Sequence, residues 1–446
     1  MSEPRGVRGG RPGGSGAQRR CAAWGLAWAL WLVTSAALAE PRAILRVGTS
    51  GDYAPFSVAK GEDPPRYSGF DVELARRYAA DRGLEVEFVR FRWPNLLRDL
   101  EAGRFELAMS GVTVGPLRSV TGTFSVPLVE TGAVALVRDS ARFSSIEALD
   151  RNHVRIAVNA GGHLEGAARA QFPHATLVAV GENSGVVRAL ALGEVDAAVT
   201  DTAEASNWEK ELPDVKRLGP FTRDRKAFLV AAAAAERSAD LDAWLLEREA
   251  DGTLATLRSE FLGAGPFARV AEPLPALVAA LDERLSLMPW VAIAKRREGL
   301  PLVVPEREDA VLDEATAAVL SQAKAEEIAP PSVLLVRRFF GAQLEAAKQV
   351  QRDVARSDYE ATDPLPDLDG ALRPAISRIG ARIARLLVAL RQDTDRERIS
   401  QALADGLRST WLAPSSRYAI TDALGAITAA GAAAPSPAPS TTAPAQ

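Results

Sequence analysis

The stretch that decides the fold is 106–128, ELAMSGVTVGPLRSVTGTFSVPL. Its apolar residues 107–109 predict the end of a buried strand. Ser110, Thr113 and Arg118 follow at short spacing, so hydroxyl, backbone N–H and guanidinium donors surround the end of that strand. Because arginine forms a two-pronged, charge-assisted pair with a carboxylate, this grouping favours a carboxylate-binding site. The alternative is an ordinary strand-to-loop junction with a surface arginine.

Strand and helix patterns alternate on both sides of this stretch. The predicted strands are 43–47, 84–89, 154–158, 176–180, 195–199 and 226–233, and the predicted helices follow Gly69, Asn95, Gly162 and Gly185. Asp71 is the expected N-cap of the first of these helices. Such alternation predicts parallel sheets with right-handed crossovers. Two such units, the second at about 137–222, fit a hinged pair of lobes with a ligand in the cleft between them.

The pattern SGxTxxxxR followed by FSxPL resembles the ligand-carboxylate motif of two-lobed periplasmic amino-acid-binding proteins. Six motifs in order resemble a narrower family, the periplasmic cyclohexadienyl dehydratases. They are GDYAPFS (51–57), YSGFDVELARR (67–77), RWPNLLRDL (92–100), the SGVT…R…FSVPL run, VNAGG (158–162) and VDAAVTDTAE (195–204). The resemblance implies a two-lobed α/β domain of the periplasmic-binding-protein type II fold over 40–268. It also implies conversion of prephenate to phenylpyruvate, and often of arogenate to phenylalanine.

The resemblance assigns roles to single residues. Arg118, with Ser110 and Thr113, would bind a carboxylate, and Asp201 would bind an ammonium group. Glu204, in the TDxxE motif, would be the general acid that protonates the departing ring hydroxyl. Burial beside apolar groups would keep this carboxyl protonated near neutrality. The alternative is a solvated carboxylate that complements a helix N-terminus.

Three further positions bear on the same cleft. Asn159 matches a substrate-contacting asparagine of the family, and Trp93 would form either an aromatic wall of the site or part of the core. Five positions after Asn159 the family typically has a second asparagine, whereas this chain has Leu164. Either the site has been rebuilt or another group, such as His163, takes over that contact.

Beyond Gly263-Ala264-Gly265-Pro266 the alternation stops and long helical periodicity begins. The predicted all-α domain spans 272–427, with helices over 273–295, after Pro305, over 332–356, from Arg373, and near 396–410 and 418–427. A proline- and aspartate-rich connection, 357–370, separates two of them. Each of the scattered arginines and lysines of this helical domain could be a solvated surface cation.

Taken together, the helical motifs resemble secreted all-helical chorismate mutases of the AroQ type, gamma subclass. The motifs are ERLxLMxxVAxxK, GLPLxxPxRExxVL, FFxAQxxAAKxxQ and DLxxxLRPAI, within 274–390. The resemblance implies that Arg284, Arg307 and Arg373 hold carboxylates or the adjacent hydroxyl. It also implies that Lys295 and Gln351 donate to the ether oxygen and that Glu308 receives the ring hydroxyl. Two positions depart from the family pattern: Val304 replaces an acidic residue and Ala347 a serine or threonine.

The first 39 residues resemble a signal peptide, with a basic start, an apolar run from Ala22 to Val33 and a small-x-small site before Glu40. That apolar run is too short to span a bilayer, so no membrane anchor is expected after cleavage. Arg19-Arg20 leaves twin-arginine export open beside the general route. The single cysteine, Cys21, lies in this segment, so the mature chain would have no disulfide.

The net charge of −4, from interspersed acidic and basic residues, does not indicate a nucleic-acid partner. Residues 428–446 predict a low-complexity tail. The sequence therefore predicts a periplasmic or secreted bifunctional enzyme that makes prephenate from chorismate and then phenylpyruvate, with no metal and no cofactor. A homo-oligomer is compatible with it. The alternatives are an amino-acid or keto-acid binding protein with a helical appendage, or an active mutase with a degenerate dehydratase.

Overall fold

The computed structural model describes residues 42–61, 64–140, 142–263, 268–360, 364–390 and 394–432. The predicted signal segment, 1–39, and residues 433–446 of the predicted tail lie outside them. The described residues from Ile44 onward form one compact unit. No helix among the described residues is long and apolar enough to cross a membrane.

The first half of the chain is a two-lobed α/β structure. Its strands are β1 (Ile44–Thr49), β2 (Asp52–Tyr53), β3 (Ser57–Lys60), β4 (Arg66–Ser68), β5 (Glu85–Arg90), β6 (Leu107–Ala108), β7 (Gly122–Phe124), β8 (Val129–Thr131), β9 (Ala133–Val137), β10 (Arg155–Asn159), β11 (Thr176–Val180), β12 (Ala197–Asp201), β13 (Lys216–Leu218), β14 (Asp224–Lys226) and β15 (Leu229–Ala231). Lobe 1 has the sheet order β5-β1-β6-β15-β7 and lobe 2 the order β11-β10-β12-β9-β13. In each lobe the strands joined through helices pair in parallel, as the sequence predicts.

Helices cover these sheets and then form the whole second half of the chain. They are α1 (Phe70–Asp81), α2 (Leu96–Glu101), α3 (Pro116–Thr121), α4 (His163–Gln171), α5 (Asn183–Ala191), α6 (Thr202–Glu211), α7 (Ala235–Ala250), α8 (Thr253–Leu262), α9 (Pro273–Ser286), α10 (Met288–Arg297), α11 (Pro305–Ala325), α12 (Val333–Arg356), α13 (Arg373–Ala389), α14 (Arg396–Gly406) and α15 (Pro414–Ala432). A π-helical turn, Leu368–Leu372, leads into α13.

Four local expectations differ from the structure. The helix predicted over 273–295 is two helices, because Pro289 lacks an N–H and is tolerated only in the first turn of α10. The strand predicted over 226–233 is split between β14 and β15, which belong to different sheets. The N-cap of α1 is Gly69, so Asp71 lies inside the first turn. Helix α15 extends into the predicted tail because Ile427 and Thr428 are buried and alanine favours helix.

The two lobes are joined by the antiparallel pair β8–β14. β8 follows β7 of lobe 1 and precedes β9 of lobe 2, whereas β14 follows β13 of lobe 2 and precedes β15 of lobe 1. The pair is therefore the hinge of the two-lobed half, and residues on it are positioned to face the cleft.

The helical half packs on lobe 1. One continuous hydrophobic cluster contains core residues of both, whereas lobe 2 has clusters of its own. At the contact, the buried Arg382 guanidinium pairs with Glu283 and donates to the Phe124 carbonyl. Glu283 also accepts from the Ser119 hydroxyl at 2.8 Å. The hinge joins the same contact, since Arg225 of β14 pairs with Asp282 of α9 at 2.7 Å.

Candidate active sites

The first candidate site is the cleft between the lobes, at the carboxyl ends of the parallel strands. It is lined by Tyr53, Trp93, Gly111, Thr113, Arg118, Asn159, Gly162, His163, Leu164, Asn183 and Lys226. Five of these residues were predicted from the sequence to lie at the cleft. Trp93, Thr113, Arg118 and Asn159 were expected to contact a ligand, and His163 was the candidate to take over the contact of the absent second asparagine.

The turn after β6 requires glycine. Gly111 has a φ of +63°, and a Cβ there would lie 2.8 Å from the rings of Phe56 and Tyr53. Its N–H donates to the buried Asp71 carboxylate at 2.5 Å. Burial raises the pKa of Asp71 to about 7. The Gly111 backbone is thus held directly against the rings of Phe56 and Tyr53.

Arg118 presents its guanidinium to the cleft from helix α3. One N–H donates to the Thr113 carbonyl at 2.8 Å, and the guanidinium carbon lies 5.9 Å from the Trp93 ring centroid. Burial lowers the pKa of Arg118 to about 10, so this group stays cationic at neutral pH. Trp93 also packs edge-on against Tyr53 at 5.7 Å, so it is both a wall of the cleft and part of the lobe 1 core. This arrangement can bind a carboxylate.

Ser110 is placed differently from its neighbours. Its side chain is fully buried, and its hydroxyl bonds to the Ser50 hydroxyl at 2.8 Å and accepts from the Ser50 N–H. It does not line the cleft. In this structure Ser110 ties the ends of β1 and β6 together.

Asp201 caps helix α6 and is fully buried. Its Oδ1 accepts the N–H groups of Ala203 and Glu204, each at 3.0 Å. Its Oδ2 pairs with the Lys226 ammonium at 2.9 Å and accepts from the Tyr53 hydroxyl. Burial and the charge of Asp201 raise the pKa of Tyr53 well above its ordinary value, so this hydroxyl keeps its proton.

Glu204 lies one side chain behind the cleft wall. Asn183 and Thr200 each donate to its carboxyl oxygens at 2.5 Å, and Asn183 lines the cleft. Burial raises the pKa of Glu204 well above its ordinary value. The two hydrogen bonds lower it in part, and the charges of Asp201 and Asp52 raise it further. The result is a carboxyl group that binds its proton more tightly than an exposed glutamate does, the direction of shift expected of a general acid.

The VNAGG turn supplies the opposite wall. Asn159 is buried, and its Nδ2 donates to the Asn183 Oδ1 at 3.4 Å, while its own Oδ1 has no hydrogen-bond partner among the residues that the structure describes. Leu164 adds an apolar surface where the resembled family has a second asparagine. Beside it His163 pairs with Asp224 of the hinge at 2.9 Å.

The lobes are closed on each other in this structure. Across the cleft Asp52 accepts the N–H of Asn183 at 3.2 Å, and the backbone of Gly161 packs against Pro94. The cleft has a volume of about 30 Å³ in this structure, room for about two water molecules. A ligand larger than this fits only if the lobes move apart, and a hinge permits such a motion.

The second candidate site is a cavity of about 250 Å³ in the helical half. All six side chains that the sequence assigns to this site line it: Arg284, Lys295, Arg307, Glu308, Gln351 and Arg373. They come from α9, α10, α11, α12 and the start of α13, so five helices converge on one space. Most of the remaining wall is aliphatic, and it includes Val304 and Ala347, the two departures from the resembled family.

Two donors stand side by side in this cavity. The Lys295 ammonium donates to the Gln351 Oε1 at 3.1 Å and to the Leu302 carbonyl at 3.0 Å. The Gln351 Nε2 donates to the Met288 sulfur at 3.5 Å, a weak acceptor, and forms no other hydrogen bond within the described ranges. Burial lowers the pKa of Lys295, and the neighbouring Arg373 and Arg307 lower it further. Both side chains therefore keep donor capacity for a ligand atom.

The arginines differ in how they are held. Within the part of the chain that the structure describes, neither Arg284 nor Arg307 forms a side-chain hydrogen bond or ion pair. Burial lowers the pKa of Arg284 to about 10. Arg373 pairs with Asp369 one helical turn earlier. Two cations thus face the cavity without a counter-ion from the described chain.

Glu308 is anchored by a residue that the sequence interpretation missed. Lys348 donates to the Glu308 Oε2 at 2.8 Å, while the Glu308 Oε1 is buried and has no hydrogen-bond partner in the described part of the chain. Lys348 lies three residues before Gln351 on α12, so helical spacing was a signal that both face the same side.

Lys226 and Asn183 were also missed in the cleft. The sequence predicts Lys226 as the first residue of an apolar strand. A single lysine at the start of KAFLVAAA (226–233) is a signal that its charge needs a buried partner. Asn183 begins a helix in a polar segment, and no local pattern distinguishes it from a solvated residue.

Together, the hinge, the two parallel sheets and the cleft at their strand ends define the two-lobed half as a solute-binding type of protein. The family of bacterial extracellular solute-binding proteins, family 3, matches residues 45–264. Cyclohexadienyl dehydratase of Pseudomonas aeruginosa is 36% identical over 216 residues, which are 47% of this chain and 80% of that protein. The chain belongs to family 3 of the extracellular solute-binding proteins through this half.

Two further similarities concern proteins that bind amino acids. The L-cystine-binding protein TcyJ of Escherichia coli is 25% identical over 227 residues, 50% of this chain and 85% of that protein. A crystal structure of an ancestral amino acid-binding protein, a precursor of cyclohexadienyl dehydratase, is 32% identical in sequence, with a TM-score of 0.46. The match covers 49% of this chain and 95% of that protein's chain. The family match ends at residue 264, before the helical half begins.

Proposed function

We propose that the chain is an exported fusion of two enzymes. The helical half, 272–427, rearranges chorismate to prephenate, and the two-lobed half, 40–268, converts prephenate to phenylpyruvate. The family's extracellular members support export, and the predicted signal segment would direct it. The partners of this protein are then small dicarboxylates, and a homo-oligomer stays a prediction.

The observation that carries the mutase half is the charge of the helical cavity. Five cations and two carboxylates line it: Arg284, Lys295, Arg307, Lys348, Arg373, Glu308 and Glu314. Among the described residues, Arg284, Lys295 and Arg307 form no ion pair; Arg284 and Lys295 are partly buried, and Arg307 is exposed. A cation that loses water on burial is costly unless a negative charge pairs with it. A dicarboxylate would supply the missing negative charge.

The chemistry of chorismate fits this cavity. Its rearrangement takes place within one molecule, so the site needs neither a nucleophile nor a proton transfer. It must hold the dianion in a folded conformation and stabilise negative charge on the ether oxygen as the C–O bond breaks. Arg284 and Arg307 would hold carboxylates, while Lys295 and the Gln351 amide, 3.1 Å apart, would both donate to that oxygen. Glu308, with an unpartnered oxygen, would accept the ring hydroxyl.

The observation that carries the dehydratase half is the buried Glu204, whose pKa is raised by burial, behind a cationic cleft. Arg118 would hold one carboxylate of prephenate, and Asn159 would orient the substrate. The ring carboxylate leaves as CO₂, its bonding electrons aromatise the ring, and the ring hydroxyl leaves as water with the Glu204 proton. Glu204 then regains a proton from solvent. Because Asn183 separates Glu204 from the cleft, its amide must turn aside when substrate enters.

A second candidate function is ligand binding without turnover. It is favoured by the relatives that bind amino acids and by Leu164, which puts an apolar surface where the dehydratase family has an asparagine. In a related variant of this hypothesis, the mutase is active and the dehydratase degenerate.

One experiment separates enzyme from binder. Prephenate is titrated into the full chain by calorimetry, and turnover is measured on the same preparation. The proposal predicts binding and phenylpyruvate formation in the wild type, with Arg118→Ala weakening binding. Binding of prephenate without any phenylpyruvate would assign the two-lobed half to the binder.

A further inference from the structure

The carboxylate that the sequence interpretation assigns to a ligand ammonium is fully used inside the protein. Asp201 is 0% exposed, and its Oδ1 already accepts two backbone N–H groups. Its Oδ2 takes the Lys226 ammonium at 2.9 Å together with the Tyr53 hydroxyl. A carboxylate has about four acceptor positions, and all four are occupied.

Lys226 is equally well satisfied. It is 3% exposed, and besides Asp201 it donates to the Tyr53 hydroxyl at 2.9 Å and to the Thr113 hydroxyl at 3.0 Å. An ammonium has three donors, so none is left over. The charge also lies 5.1 Å from the Tyr53 ring centroid and 5.8 Å from that of Phe56, where cation–π attraction adds to the pair.

We infer that Lys226 occupies the place of a ligand ammonium group, so that the cleft accepts keto dicarboxylates and rejects α-amino acids. The inference rests on the proposed dehydratase function and narrows its substrate class. Arogenate differs from prephenate by an ammonium in place of the keto oxygen. That ammonium would enter a cleft whose one matching carboxylate already holds a lysine.

The charges around the cleft support this reading. Among the described residues that line it, Arg118 and Lys226 are cationic and none is a carboxylate. Four other carboxyl groups lie close by, and each is already engaged. Asp71 accepts the Gly111 N–H, and Glu204 accepts from Asn183 and Thr200. Asp224 is paired with His163 at 2.9 Å, and Asp52 accepts the N–H at the start of α5. Because Lys226 is neutralised by Asp201, Arg118 is the lining cation that is left to attract a ligand carboxylate, and no lining residue that the structure describes is a counter-ion for a ligand ammonium.

The test compares ligand classes on the full chain by calorimetry, using prephenate, arogenate and L-arginine. Arogenate and arginine should bind about 100-fold more weakly than prephenate, or worse, as expected when a buried charged group lacks its partner. Lys226→Met removes the internal ammonium and leaves Asp201 open. In this variant the ratio of arogenate to prephenate affinity should rise by about tenfold or more. Lys216→Met, an exposed lysine of β13, is the matched control and should change nothing.

A second variant keeps the test decisive if Lys226→Met folds poorly. Lys226→Met combined with Asp201→Asn removes both charges and should show no gain of amino-acid binding. Arogenate bound by the wild type as tightly as prephenate, with prephenate still turned over, would overturn the inference alone. Rejection of amino acids and binding of prephenate without turnover would overturn only the proposed activity. Binding of neither class would overturn both.

Discussion

Glu204→Gln isolates the proton that the dehydratase reaction requires. Glutamine keeps the shape of the side chain and can still accept from Asn183 and pair with Thr200, the two groups that hold Glu204 at 2.5 Å. It cannot give up a proton to a leaving hydroxide. General acid catalysis contributes about 10²–10⁴-fold to a rate. Turnover of supplied prephenate should therefore fall by about that factor, while binding of prephenate changes far less.

The same substitution should not destabilise the protein at neutral pH. Burial raises the pKa of Glu204 above its unfolded value, so the folded chain binds this proton more tightly than the unfolded chain. The free energy of unfolding then falls as pH rises from the unfolded pKa to the folded one, by about 1.4 kcal/mol for each unit of difference. Glutamine does not titrate, so the free energy of unfolding of the variant should not decrease with pH in this way. Above neutral pH the variant should therefore be as stable as the wild type or more stable.

Three measurements check this reasoning: prephenate turnover against pH, calorimetric binding, and urea unfolding at two pH values. Wild-type turnover should be constant at low pH and decline as pH rises through the raised pKa of Glu204. Glu211→Gln, an exposed carboxylate on the same helix, is the control. Unchanged turnover in Glu204→Gln, with binding intact, would refute the assignment of Glu204 as the acid.

Three predictions concern the helical half. Arg284→Ala or Arg307→Ala should abolish chorismate turnover and leave conversion of supplied prephenate intact, as measured with each substrate; loss of both activities in a folded variant would contradict separate sites. Gln351→Glu should restrict chorismate turnover to acidic pH, because only a protonated glutamate can donate to the ether oxygen; an unchanged pH profile would count against residue 351 as a donor to that oxygen. Arg382→Met should lower the free energy of unfolding by about 3–5 kcal/mol, since it leaves Glu283 buried beside lobe 1; a loss below about 1 kcal/mol would argue against a buried pair.

The six residues of the helical site were predicted from a motif resemblance, and helical spacing explains part of their convergence. Arg284 and Lys295 lie eleven positions apart, about three turns, so both face one side even though the chain breaks between α9 and α10. Gln351 and Lys348 share a face in the same way. The break between the two helices is marked by Pro289, and the apolar periodicity continues through it, so the periodicity alone does not reveal the break. The docking of α13 on lobe 1 rests on Arg382 and Glu283, whose sequence separation gives no local signal.

The two-lobed site was predictable in its walls and not in its charge pairing. Arg118 and Thr113 follow a strand end, where the alternating pattern already indicates a cleft, and the motif resemblance adds Asn159. Asp201 was assigned to a ligand because a sequence cannot show that Lys226, on the returning hinge strand, meets it at 2.9 Å. Ser110 lies in the same turn as the cleft residues yet bonds to Ser50, which depends on how two strands are placed side by side.

The most direct test of the account is to add chorismate to the purified full chain and to follow prephenate and phenylpyruvate separately over time, against a protein-free control. The account predicts that chorismate disappears, that prephenate rises and falls, and that phenylpyruvate accumulates. Chorismate that stays unchanged would contradict the mutase half. Prephenate that accumulates without phenylpyruvate would contradict the dehydratase half and leave the two-lobed half as a binder.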